Sequence, residues 1–357
     1  MPYGGTEGKA LRNAIRFIAI LALLTTFGGG AWAGVTSDPS AGYVPSEPSR
    51  CGGENLLASL ALSDPALHGR ILDAAASLEN GQHLLWKVER AGLAPSYLFG
   101  TVHLTDSRVR EISAETRAAL RSARAVLLET SDIGPQTTAA ALVSAARTAV
   151  YTDGRTLDRL LTKDEFKKVQ LTIDRAGVPA ASARIYRPWM ISMMLSGSNC
   201  ERRRIREGEP VLDMALAQEA RIHGIPITGL ETAEEQIRTL ASVPEDQQLG
   251  MLRANLALID ETDNLMETMV QLYLERRIGA VWELQMALAE TAGVPASAFD
   301  GFRQTVIVDR NVKMYEAARG YFEKGGTFMA VGALHLPGED GLVALLRTAG
   351  YTVTPVE

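Results

Sequence analysis

Short apolar runs separated by long stretches of helical periodicity constrain this chain to a layered α/β fold. Residues 125–128, 225–228, 328–331 and 351–353 are such runs. Runs this short, bounded by helices, suit strands buried on both faces of a sheet. Residues 84–89 alternate toward a further strand, 91–95 read as a turn, and 97–100 as the returning strand. The expected architecture is a central mixed or mostly parallel sheet in one domain over 51–357. Large helical insertions fall near 135–222 and 232–324. Helix starts are marked by Thr162 with Glu165 and by Thr232 with Glu235, both capping-box pairs. Residues 54–78 carry helical spacing, broken once at Asp64-Pro65. Val308, Val312, Tyr315 and Phe322 predict one apolar face of a late helix.

One internal echo carries the chemistry. Tyr97-Leu98-Phe99-Gly100-Thr101-Val102-His103-Leu104 resembles Phe328-Met329-Ala330-Val331-Gly332-Ala333-Leu334-His335-Leu336. Each reads as a strand, a glycine, two residues, then His-Leu. Glycine at a strand exit permits a sharp turn or a close backbone approach to a ligand. The histidines then fall just beyond the carboxyl ends of strands, the edge where open α/β sheets bind ligands. Residues 125–128 run straight into Glu129, and 225–228 run through Gly229-Leu230 into Glu231. If the strands are parallel neighbours, His103, Glu129, Glu231 and His335 converge on one edge as solvent-facing loop side chains. Two imidazoles plus carboxylates suit a catalytic divalent ion with open positions for water. A carboxylate that is not a ligand can act as general base. A carboxylate ahead of a helix also serves the helix dipole, and a lone G-x-x-H can be a structural turn. His68, His83 and His223 read as helix-surface or turn residues.

Export is the second expectation. Lys9, Arg12 and Arg16 precede an apolar run over 17–27, and Ala31-Trp32-Ala33 supplies a small-x-small site. Residues 1–33 therefore read as a signal peptide cleaved after Ala33. Residues 34–50, rich in Ser, Pro and Gly, read as a flexible leader. The mature protein is expected in a bacterial periplasm or secreted, with no membrane anchor after cleavage. Past Ala33, 33 basic residues remain against 41 acidic, a net of −8. That balance excludes nucleic acid as a partner. Cys51 and Cys200 are the two cysteines. In an oxidising compartment an isolated pair predicts one disulfide, with two buried thiols as the alternative.

Other mechanisms lack their motifs. The chain has no H-E-x-x-H, no G-x-S-x-G, no P-loop, and no G-x-G-x-x-G after a strand.

The segments 99–104, 229–232 and 332–338 resemble the signature blocks of the TraB/GumN family, as do Cys200-Glu201, Val211-Leu212-Asp213, Gly341-Leu342 and Gly350-Tyr351. The family is similar to the Tiki metalloproteases, which share two G-x-x-H motifs and an acidic residue. The resemblance implies an α/β fold related to the haem-binding ChaN and erythromycin-esterase folds. It implies a divalent metal, manganese or cobalt ahead of zinc, held at His103, Glu129 and His335. Asp309-Arg310-Asn311 looks like a further family block, which makes Arg310 a candidate for substrate or transition-state charge. The implied function is an exported metal-dependent hydrolase acting on a peptide or small molecule. The alternative is a periplasmic protein that holds metal or haem without catalysis.

Overall fold

The computed structural model describes residues 51–131 and 146–357. The expected signal peptide, its cleavage point and the leader lie outside the described residues. The strands are β1 (Leu85–Glu89), β2 (Ser96–Thr101), β3 (Ala125–Thr130), β4 (Ile227–Glu231), β5 (Thr327–Gly332) and β6 (Thr352–Pro355). They form a six-stranded sheet in the order β4-β3-β5-β2-β1-β6. The neighbours β4, β3, β5 and β2 run parallel, while β1 runs antiparallel to both β2 and β6. The α/β class and the mixed, mostly parallel sheet agree with the sequence reading.

Side-chain alternation divides the sheet between two cores. Val126, Leu128, Phe328, Ala330 and Phe99 pack on one face with the helices Ala114–Ser122 and Leu212–Ile222. Leu127, Met329, Val331 and Leu98 pack on the other with Met314, Ala318 and Phe322 of the helix Asp309–Phe322 and with the helix Leu342–Thr348. Glu129 has the parity of Leu127 and so faces the helix Asp309–Phe322. That placement decides its chemistry. Both strand acids lie within strands rather than just past them. β3 and β4 pair as far as Thr130 and Glu231.

Local signals account for the helices. Asp64 caps the helix Pro65–Ser77 by accepting from Leu67 N at 2.9 Å, and it ends the helix Leu56–Ser63. Thr162 and Thr232 both form complete capping boxes. The late helix departs from expectation. Its buried face is Arg310, Asn311, Met314, Ala318 and Phe322, and Val312 is 50% exposed. The π-turn Arg303–Val308 leads into it. Such turns recur beside functional sites.

Cys51 and Cys200 form a disulfide across 149 residues, with Cα atoms 5.7 Å apart. It ties the segment ahead of the helix Leu56–Ser63 to the helix Asn199–Arg206. A cross-link over so long a loop restricts the unfolded chain, so Cys51→Ser is expected to lose about 2–4 kcal/mol. Denaturant titration of wild type against Cys51→Ser measures this. A midpoint unchanged between the two would show that the tie is redundant.

Candidate functional site

The two G-x-x-H segments lie side by side because β2 and β5 are parallel neighbours, with Gly100 opposite Val331 and Thr101 opposite Gly332. Gly100 has a steric reason. A Cβ there would stand 3.0 Å from both Cα and Cβ of Ala333. Of the two roles expected for a strand-exit glycine, Gly100 takes the close approach, and Gly332 has an ordinary φ of −49°. Glycine at position 100 serves the close approach of one motif to the other. Gly332 contributes its backbone N–H, which donates to Glu129 Oε1 at 2.7 Å.

Both histidines turn Nε2 toward one carboxylate oxygen. His103 Nε2 and His335 Nε2 each stand 3.8 Å from Glu129 Oε1. Each ring is oriented from its far side. His103 Nδ1 donates to Asp213 Oδ2 at 2.8 Å, and Thr101 Oγ1 donates to Asp213 Oδ1 at 2.8 Å. His335 Nδ1 donates to Asn311 Oδ1 at 2.7 Å. Asn311 Nδ2 donates to the Asp340 carbonyl at 2.8 Å, so the amide orientation is settled and Oδ1 faces the ring. Outer partners of this kind set tautomer and ring direction in metal sites.

Arg310 links the acids. Its Nη2 donates to Glu129 Oε2 at 2.6 Å and to Glu231 Oε2 at 2.8 Å, while Nε reaches Glu231 Oε2 at 2.9 Å. Its Nη1 lies 3.3 Å from His335 Nε2. Gln236 Nε2 donates to Glu129 Oε2 at 3.2 Å. The sequence treated the histidines as solvent-facing. The structure differs: His335 is fully buried and His103 mostly so, because the helices Asp309–Phe322 and Leu212–Ile222 close over the sheet edge.

The electrostatics separate the two rings. Burial disfavours charge on His335, the Arg310 guanidinium adds to it, and the pKa falls to about 3. Burial acts the same way on His103, but Asp213 and then Glu129 outweigh it and raise the pKa to about 9. Burial opposes charge on Glu129, yet Arg310 and both histidines hold its carboxyl far below the ordinary carboxylate range.

The loop after His103 is anchored from below. Glu201 accepts from the Thr105 backbone N–H and, at 3.0 Å, from its hydroxyl. Asp106 receives Arg108 Nε at 2.9 Å and Arg204 Nη1 at 3.2 Å. Burial alone would raise the Asp106 pKa, but these arginines, Arg108 first, lower it to about 2. A carboxyl depressed in the folded state stabilises fully above its unfolded value near 3.9, and loses that contribution as pH falls toward 2. Wild type is therefore expected to lose stability between about pH 4 and 2 more steeply than Asp106→Asn, measured by urea unfolding. Parallel slopes would refute the assignment.

Asp213 and Asn311, which hold the two rings, had no role assigned from the sequence, although both fall inside the family blocks. Asp213 lies 110 residues from His103. If His103 holds an ion, Asp213→Asn is expected to weaken its binding by about 10–100-fold, the usual effect of losing an outer partner. Calorimetric Mn²⁺ titration tests this, and an unchanged affinity would rule out the orienting role.

Among the described residues, no three His, Cys, Asp or Glu side chains are grouped as a ready metal shell. The donor set fits one in kind. Two imidazoles with Nδ1 engaged elsewhere turn Nε2 toward a shared carboxylate oxygen, and at His335 an ion would have to displace the Arg310 Nη1 that stands 3.3 Å from Nε2. Further, no described helix is long and apolar enough to cross a membrane.

The model of the TraB/PrgY/gumN family matches residues 84–355, and the chain belongs to that family. The chain is 25% identical over 331 residues to the metalloprotease TIKI2 of Danio rerio, covering 80% of this chain and 63% of that protein. It is 26% identical over 315 residues to the metalloprotease TIKI1 of Danio rerio, covering 75% of this chain and 62% of that protein. It is 23% identical over 270 residues to YbaP of Escherichia coli (strain K12), covering 75% of this chain and 94% of that protein. The chain thus spans under two thirds of the length of these metalloproteases. No solved structure matches it significantly.

Proposed function

We propose that this protein is an exported metal-dependent hydrolase whose leading substrate class is peptides. The observation that carries the reading is the meeting of His103 Nε2 and His335 Nε2 on Glu129 Oε1, each at 3.8 Å. The distant likeness to TIKI metalloproteases supports it. His103, His335 and Glu129 would hold the ion, with manganese or cobalt ahead of zinc. A bound divalent ion polarises a carbonyl and acidifies a bound water. Burial and Arg310 hold His335 neutral, the state a ligand imidazole needs, while His103, whose proton Asp213 and Glu129 favour, would release it to an ion. Glu129 is the third ligand or the general base. Arg310 fixes Glu129 by its Oε2, leaving Oε1 turned toward the rings. Glu231 serves as the counter-charge of Arg310. Export is supported by the Cys51–Cys200 disulfide, a bond of oxidising compartments.

Metal analysis of the purified protein, followed by a peptide-library screen with Mn²⁺ and Co²⁺, tests the reading. Stoichiometric metal and cleavage are expected. Tight metal binding without any cleavage would favour a metal-binding protein instead, and a Soret band on haem titration would favour a haem carrier.

A further inference from the structure

The space between the two G-x-x-H segments is an apolar cleft of about 40 Å³, several times the minimum for one water molecule. Val102 and Leu334, the residues just before the two site histidines, line it together with Ala333. The opposite side comes from Met269 of the helix Thr262–Leu274, and from Ile278 and Val281 of the helix Ile278–Thr291. His103 is itself part of the lining, so the cleft adjoins one member of the candidate metal set, while Glu129 and His335 do not line it.

The polar groups bordering this space are already engaged. The Tyr273 hydroxyl donates to the Gly100 carbonyl at 2.7 Å, and the Thr101 hydroxyl donates to Asp213. A charged occupant would lose its hydration and find only the His103 ring, which already faces Asp213 and Glu129, whereas an aliphatic one loses nothing. Room for the tip of a side chain, beside an unbranched and adaptable Met269, suits the methyl end of a small branched hydrocarbon.

We propose that this cleft is the subsite for an aliphatic side chain, of valine or leucine size, next to the scissile carbonyl of the substrate peptide. The inference rests on the hydrolase reading for its setting, and its test does not depend on metal. Protein labelled with ¹³C-methyl methionine is titrated with N-acetyl-leucine amide and with N-acetyl-aspartate amide, no metal being added. The Met269 signal is assigned through Met269→Leu. The leucine probe is expected to shift that signal saturably, and the aspartate probe to leave it in place. Val281→Phe fills the cleft and should weaken the leucine probe at least tenfold. Val281→Ala enlarges it and should admit N-acetyl-phenylalanine amide, which keeps the proposal open to test if the phenylalanine variant does not fold. No saturable shift with the leucine probe, or an equal response to the aspartate probe, overturns the proposal. Either result leaves the metal reading to be judged by Mn²⁺ titration of the histidine variants.

Discussion

Mn²⁺ titrated calorimetrically into His103→Ala or His335→Ala is expected to bind more than about 100-fold more weakly than to wild type, a loss larger than that of an outer-shell partner. Each variant removes one of the two Nε2 donors facing Glu129 Oε1. Both should also lose stability. Truncating His103 strips the buried Asp213 carboxylate of its imidazole donor and leaves it the Thr101 hydroxyl. His335 is fully buried, and its loss leaves the Asn311 amide oxygen without its imidazole donor. A buried acceptor stripped of its partner costs about 1–3 kcal/mol. Both variants should therefore unfold at lower denaturant than wild type. Wild-type affinity in both variants, with unchanged stoichiometry, would mean that the echoing segments are structural turns and that the metal lies elsewhere or nowhere.

Much of the scaffold was legible because burial on both faces demands uninterrupted hydrocarbon. The runs at 125–128 and 328–331 are strands for that reason. The ends of β3 and β4 were not legible. Glu129, Thr130, Gly229 and Glu231 break the apolar pattern, yet the ladder continues through them. A carboxylate survives inside a strand here because Gly332 N–H, Gln236 and Arg310 satisfy it. None of those three partners is near it in sequence. The same blindness to tertiary partners misread part of the inward face of the late helix, which otherwise lies where expected with Phe322 buried. Valines 308 and 312 look like a core face, but the helix turns Arg310 and Asn311 inward, toward Glu129 and His335. The histidine pair was visible through its repeat and its glycines. Asp213 was not, since nothing local distinguishes an acid in a helix's first turn that orients a ring from one that favours the helix dipole.

Arg310 carries the second large expected effect. Its side chain is buried, and it neutralises two carboxylates that are themselves nearly inaccessible. Arg310→Met keeps most of the volume and removes the charge. Glu129 would then retain Gly332 N–H and Gln236, and Glu231 would lose the hydrogen bonds that Arg310 donates. Breaking a buried ion pair from one side costs about 3–5 kcal/mol, because the remaining charge is left uncompensated. The variant is expected to lose that much in urea unfolding at neutral pH. The control is the double replacement Arg310→Met with Glu129→Gln. If the loss comes from stranded charge, removing one stranded acid should return part of it, so the double variant should be more stable than Arg310→Met alone. If the loss comes from packing, the second substitution should add its own cost. A double variant no more stable than Arg310→Met, or a single variant within about 0.5 kcal/mol of wild type, as expected of a surface change, would show that Arg310 does not hold the acids in place. The charge balance also bears on the site itself. Arg310 occupies Glu129 Oε2 while Gly332 N–H orients Oε1, so the guanidinium helps decide which carboxylate oxygen meets the two rings. Arg310→Lys keeps one positive charge but cannot span Glu129, Glu231 and the approach to His335 with a planar fork. Arg310→Lys should regain part of the stability lost in Arg310→Met but little of the wild-type Mn²⁺ affinity, a split that a purely electrostatic role for Arg310 would not produce.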